Sequence, residues 1–271
     1  MRELLLANFP QTPAAWWDAG HARLRQVPPA GTDANAPVGL LMRRGAVDVG
    51  VVMLLHSRRP GEAGQPWHVC ASNFGIAPAY RRQALWLAGQ ATADPAKIYA
   101  AVTPIPSVAR IVQRLGFRPI THQCIVGFTP GLQRGPEHRA TVLWGPQALV
   151  ALRDDAMAPV LHDHHRLGCL VAALQTRDRL LPLVWRSKRR LRAVRVAELL
   201  YTPSTDLVSA HVGALANGLL RRGFAMLEFE ADEALVPEFP CTRLFVRRFA
   251  RGNYNSAGID HLYSELVYLH R

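Results

Sequence analysis

The sequence predicts an α/β (α+β) chain made of two similar halves, each a mixed, mostly antiparallel sheet flanked by helices, and three observations predict it. Short apolar runs bounded by turn residues alternate with segments of helical period. A strand ending at a residue pair before proline, and a later helix leaving through Gly-Phe, occur twice: Ile76, Ala77 and Pro78 with Gly116 and Phe117, then Tyr201, Thr202 and Pro203 with Gly223 and Phe224. Between the copies, the glycines and prolines from Thr129 to Pro136 let neither period continue. They divide the chain into domains 1–132 and 133–271.

Residues 11–25 form a helix in this reading, with Trp16, Trp17, His21 and Leu24 at helical spacing after Pro13 in the first turn. Residues 27–37 are loop. Val38 to Met42 then pairs with Val47 to Leu55 as a hairpin across Arg43 to Ala46. After a turn-rich stretch from Arg58 to Gln65 comes a third strand, Trp67 to Ala77. It leads to a helix from Arg81 to Ala93, a strand Ile98 to Val102, a helix Ser107 to Leu115 and a strand Cys124 to Phe128. In the second half, strands Leu180 to Trp185 and Ala193 to Leu200 flank a basic turn, Arg186 to Arg192. A helix Asp206 to Arg222, a strand Ala225 to Phe229 and a final strand Gly258 to Leu269 complete the pattern.

At 271 residues the chain approaches the limit of one core and accommodates two domains of ordinary size. With 49% hydrophobic and 19% charged residues, wholesale disorder is excluded. No apolar run reaches the roughly 18–20 residues that span a bilayer, and Glu3 with the short run Leu4 to Ala7 does not make a secretory signal. A cytoplasmic protein without a membrane span is expected. Cys70, Cys124, Cys169 and Cys241 lie far apart with no Cys-x-x-Cys spacing, so neither a disulfide framework nor a zinc ribbon is predicted. The net charge of +12 rests almost wholly on arginine, Lys97 and Lys188 being the only lysines. That field suits a polyanionic ligand, and nucleic acid or acidic lipid would be served equally.

The sharpest constellation follows Pro78. A strand that stops at a proline and hands over to Tyr80, Arg81, Arg82 and Gln83 presents helix N–H groups and guanidinium forks to whatever lies in front. Arginines oppose the dipole at a helix start, so they ask for an anion; a solvated basic turn is the other reading. His68, Cys70 and Ser72 alternate along one face of the third strand. Imidazole titrates near neutrality, which suits His68 as a base, and Cys70 beside a histidine would permit an acyl-enzyme route. A half-buried structural strand would show the same alternation. His162, His165 and Cys169 would share a helix face, yet no second ligand pair accompanies them, and no metal is expected. Trp185 to Arg195 holds six positive residues in eleven without a nucleic-acid motif or aromatic interleaving, so nucleic acid is not an expected partner. In the last strand, Tyr263 and Glu265 are candidates for contact with a second substrate.

The segment Trp67 to Arg118 resembles the GNAT (GCN5-related N-acetyltransferase-like) superfamily of acyl-CoA acyltransferases, in a tandem two-domain arrangement. The family signature reads hydrophobic-x-Pro-x-Tyr-Arg-Gly-x-Gly-x-Gly/Ala, with a later helix ending in Gly-Phe. Ile76 through Arg81 match the approach, and Ser107 through Phe117 match the helix. The resemblance implies an acyl thioester lying between two splayed strands, with Ile76, Ala77, Arg81, Arg82, Gln83 and Ala84 around the donor, and acyl-CoA or acyl-carrier-protein pantetheine as cosubstrate. It implies a small-molecule amine or hydroxyl acceptor that attacks directly, its proton leaving to His68 or a water, while the N–H near Ile76 polarises the carbonyl. Arg82 and Ala84 stand where the family has turn glycines, Trp86 where it has a small residue, and Val112 where many members carry a tyrosine proton donor. Tyr99 is a substitute donor by type alone. These departures keep open an alternative, a catalytically degenerate GNAT-shaped binding or partner protein. The second copy has Ser204, Thr205 and Asp206 at its helix start, a good cap and a poor phosphate neighbour. The donor site is therefore expected in the first half.

Overall fold

The computed structural model describes residues 2–32, 37–58, 60, 66–132, 140–191, 193–254 and 260–269. In chain order the elements are α1 (Arg2–Asn8), α2 (Ala14–Gln26), β1 (Gly39–Arg44), β2 (Val47–Ser57), β3 (His68–Ile76), a 3-10 helix (Pro78–Gln83), α3 (Ala84–Ala91), β4 (Ile98–Ala101), α4 (Pro106–Arg114) and β5 (Arg118–Phe128). They continue as α5 (Thr129–Leu132), β6 (Thr141–Trp144), α6 (Pro146–Ala151), α7 (Ala158–Arg166), β7 (Leu170–Gln175), β8 (Leu180–Arg190) and β9 (Val194–Tyr201). Then come α8 (Thr205–Ala210), α9 (Val212–Leu220), β10 (Met226–Ala231), β11 (Thr242–Arg251) and α10 (Glu265–Tyr268). The fold is α/β with mixed, mostly antiparallel pairing; the parallel pairs described are β3 with β4 and β9 with β10.

Two compact units result: residues 1–120 with 247–271, and residues 121–246. The boundaries fall inside β5 and β11, whereas glycine and proline punctuation placed the break after residue 132. Thr129 to Leu132 is helical, and 133–136 lie outside the described residues.

In the first unit, β1, β2 and β3 run antiparallel, β4 adds in parallel to β3, and Phe249 to Arg251 of β11 pair antiparallel with β4. One face of this sheet buries Val52, Leu54, Val69 and Tyr99 against Leu87 and Ala91 of α3 and Val112 of α4. Each such aliphatic side chain contributes roughly 1.5–3 kcal/mol when fully buried. On the other face α1 packs against β2 and β3, and α10 against α2 and β3. Tyr268 Oη donates to the Val27 carbonyl at 3.0 Å, which ties the C-terminal segment to the end of α2.

The second unit orders its strands β6, β7, β8, β9, β10, β5. Its core packs Leu183, Trp185, Ala197, Leu227 and Phe229 of the sheet against Leu215 and Leu219 of α9.

Both Gly-Phe pairs have a structural cause. Gly116 (φ +82°) and Gly223 (φ +79°) end α4 and α9 in the left-handed conformation. Phe117 N–H reaches back to the Val112 carbonyl, and Phe224 N–H to the Leu219 carbonyl, which closes a Schellman stop and buries each ring.

Several expected elements are corrected. The helix expected from Arg81 is a 3-10 helix through Gln83 before α3 begins. Arg186 to Arg190 belong to β8, not to a turn. The expected C-terminal strand is instead a turn leading into α10, with Gly258 and Ile259 outside the described residues. β11 takes the role of last strand.

Candidate active site

β3 changes character midway. Ser72 pairs with Met53 and Gly75 with Val51, so β3 uses one residue more than β2 over this interval. The extra residue is a bulge at Asn73, whose φ of +48° lies in the left-handed region that asparagine tolerates better than most residues. Asn73 Nδ2 donates to Ser72 Oγ at 3.1 Å and to Met53 Sδ at 3.2 Å, which holds the bulge. Its consequence appears on the opposite edge. The parallel ladder with β4 spans only His68, Val69 and Cys70 against Ile98, Tyr99 and Ala100. From Ala71 to Ile76 the edge of β3 has no partner in β4.

The far end of this open edge carries the residues expected around a donor. Ala77 is extended, and Tyr80 N–H donates back to the Ala77 carbonyl at 2.8 Å as the 3-10 helix starts. Arg81, Arg82 and Gln83 are exposed and Ala84 is buried. Among the described residues neither Arg81 nor Arg82 forms an ion pair. Trp86 is 59% exposed. The Ile76 N–H donates to Asn8 Oδ1 at 3.1 Å, and Asn8 Nδ2 donates to the Leu4 carbonyl at 2.9 Å. Asn8 sits close over Gly75, where an added Cβ would come within 3.0 Å of Asn8 Cγ. The amide expected to polarise a thioester carbonyl thus already serves a carboxamide oxygen.

At the near end of the edge lies a polar group from three parts of the first unit. Cys70 Sγ is 3.0 Å from Glu265 Oε2, and Thr103 Oγ1, just past β4, donates to Glu265 Oε1 at 2.5 Å. Burial first, then the Glu265 carboxylate, push the Cys70 thiol well above its usual range. Cys70 is therefore a protonated donor to Glu265 at neutral pH, so nucleophilic use requires its proton to pass to that carboxylate. Ser264 caps α10 by accepting from Leu266 N–H at 3.3 Å, which fixes Glu265 at the helix start. Buried Arg248 hydrogen-bonds His261 close by. His68 shares a recess with Cys70, Ala100 and Asp260.

Val112 lines an apolar cavity of about 30 Å³ with Ala71, Phe74, Ala88 and Phe117. That space admits little more than a water. Tyr99 does not line it; it faces a separate, larger cavity, and burial raises its hydroxyl pKa. The sequence offered Glu265 only as a second-substrate contact, and Thr103 and Asn8 went unnoticed, because Glu265 and Asn8 reach β3 from distant chain and Thr103 gains its role only through Glu265. His162 and His165 are exposed while Cys169 is buried, so they do not converge. Among the described residues no group of metal-ligating side chains is found.

The second unit repeats the split without the charge. β9 pairs in parallel with β10 only from Val196 to Glu198. The helix that follows is capped by its own Ser204, whose Oγ accepts from Leu207 N–H at 3.3 Å, and Asp206 lies in its first turn. The basic run before β9 is neutralised internally. Glu198 pairs with Arg186 and with Lys188 (3.1 Å), and Glu228 with Lys188 (2.6 Å) and Arg190 (2.7 Å).

No family model and no curated protein matches the sequence. Solved structures do match the fold. A GCN5-related N-acetyltransferase from Anabaena variabilis superposes with a TM-score of 0.57 at 12% identity, over 92% of this chain and 69% of that one. A probable N-acyltransferase from Enterococcus faecalis gives 0.56 at 13% identity, over 92% and 68%. Eis1 from Mycobacterium abscessus gives 0.50 at 13% identity, over 89% and 71%. The chain shares the fold of these structures, a GCN5-related N-acetyltransferase among them. Among the described residues no helix is long and apolar enough to cross a membrane.

Proposed function

We propose that this chain, which has the GNAT fold, is an acyltransferase that moves an acyl group from a coenzyme A or acyl-carrier pantetheine thioester to an amine or hydroxyl of a small molecule. The observation that carries the reading is the open edge of β3 beyond Cys70, which ends at two arginines with no ion-pair partner among the described residues. At Arg186, Lys188 and Arg190, by contrast, clustered cations are neutralised by carboxylates. An unneutralised guanidinium pair beside a strand-to-helix turn fits a diphosphate. Ile76, Ala77 and Gln83 would complete that cradle with Ala84 behind it. The second unit offers a capped and acidic helix start, so the donor belongs to the first.

Bound there, the thioester supplies the activated acyl carbon. The chain contributes position and a proton acceptor. Glu265, held by Cys70 and Thr103, is a fixed carboxylate at the start of the open edge, and His68 is the second candidate base from the same strand. Val112 supplies no proton to a departing thiolate.

A second reading, a catalytically degenerate binding or partner protein, is favoured by the Asn8 contact on Ile76 and by the small volume beside Val112. Calorimetry with acetyl-CoA and free coenzyme A, together with a thiol-release assay, separates the two. The first reading expects saturable binding that Arg81→Ala with Arg82→Ala abolishes without changing the melting temperature. Absence of both binding and thiol release would leave the second.

A further inference from the structure

The larger cavity of the first unit lies at the opposite end of α3 from the arginine turn. It measures about 600 Å³, within the roughly 300–1,000 Å³ of sites that enclose small molecules. Its apolar wall is made by Leu40 of β1, Leu54 of β2, Trp67 before β3 and Ala91 of α3. Leu40 is a large apolar side chain left 38% exposed on this wall.

The polar side holds Lys97, Asp94, His56 and Gln90. Lys97 Nζ is 3.3 Å from Asp94 Oδ2, and the other oxygen of Asp94 accepts the Ala96 N–H at 3.0 Å. An ammonium group carries three donors, and this contact engages one of them. Outside the lining, the Arg58 guanidinium lies 4.4 Å from the Trp67 ring centroid and braces that wall. An ammonium with donors beyond its one carboxylate contact, at the edge of an apolar hollow, selects for an apolar body carrying a negative head.

We infer that this cavity is a binding site for an amphipathic carboxylate, its chain or ring against Leu40, Leu54 and Trp67 and its carboxylate on Lys97. The site does not depend on acyl transfer, since it involves neither the open edge of β3 nor the arginine turn.

Octanoate, 3-phenylpropionate and neutral octanol, titrated against the full chain by calorimetry with tryptophan fluorescence in parallel, test it. Saturable binding of an acid, tighter than that of octanol, is expected; which acid binds better distinguishes an aliphatic from an aromatic ligand. Leu40→Trp, which fills the hollow, should abolish binding. Lys97→Gln should weaken the acid about tenfold or more, as loss of a charge-assisted hydrogen bond requires, and leave octanol unchanged. Circular dichroism confirms that each variant folds. No saturable binding of either acid, octanol binding as tightly as the acids, or unchanged affinity in both folded variants overturns the assignment.

Discussion

Cys70 and Glu265 stand 195 residues apart in the chain, yet their Sγ and Oε2 atoms are 3.0 Å apart in the first unit. Burial raises the thiol's pKa, and the carboxylate raises it further. A thiol whose folded value exceeds its unfolded one, about 8.5, adds stability that is complete below that pH and is lost as pH rises through the folded value.

Urea unfolding between pH 7 and 10 should therefore show a loss of stability at the alkaline end that Cys70→Ala diminishes. Glu265→Gln removes one of the two causes. In a Cys241→Ser background it should speed the reaction of Cys70 with a disulfide reagent at pH 8, and an unchanged rate would refute the pairing.

Asn8 covers the Ile76 amide. Asn8→Ala should cost roughly 0.5–1.5 kcal/mol, the net worth of one hydrogen bond, measured by urea unfolding. If the open edge receives a thioester, the same variant should bind acetyl-CoA more tightly. Equal affinity in both proteins would place the thioester elsewhere.

The bulge depends on a left-handed residue. Asn73→Gly should lose only the carboxamide contacts, roughly 0.5–1.5 kcal/mol, whereas Asn73→Val should cost about 1–2 kcal/mol more, since a side chain with Cβ branching is disfavoured at positive φ. Equal denaturation midpoints for the two variants would contradict the assigned backbone.

Glu228 is buried between Lys188 and Arg190. Glu228→Ala leaves Lys188 with Glu198 and Arg190, 40% exposed, with solvent, so the cost should be about 1–3 kcal/mol, below the roughly 3–5 kcal/mol of a fully buried pair. A change within 0.5 kcal/mol, the range of ordinary surface substitutions, would show that solvent already screens the network.

What the sequence made legible follows from local chemistry. Gly116-Phe117 and Gly223-Phe224 announce themselves because only a glycine adopts that helix stop cheaply, and Pro78 marks where β3 must end. The site was legible where its residues are contiguous, as from Ile76 to Ala84. It was hidden where partners come from elsewhere. Nothing near Arg186, Lys188 and Arg190 reveals that Glu198 and Glu228 will lie across from them, so an alternating strand read as a charged turn. Asn73 interrupts an otherwise regular strand with no glycine to betray a bulge. β11 escaped notice because arginines are dispersed among its apolar residues, and its pairing with β4 has no local trace.

The return of residues 247–271 to the first unit has a consequence for biogenesis. During N- to C-terminal synthesis, residues 121–246 all leave the ribosome before β4 can receive its partner from β11 and before Cys70 can meet Glu265. The unit begun first is thus the one finished last, and a nascent chain stalled short of Arg247 would hold a mature inner unit beside an N-terminal half still lacking its closing strand.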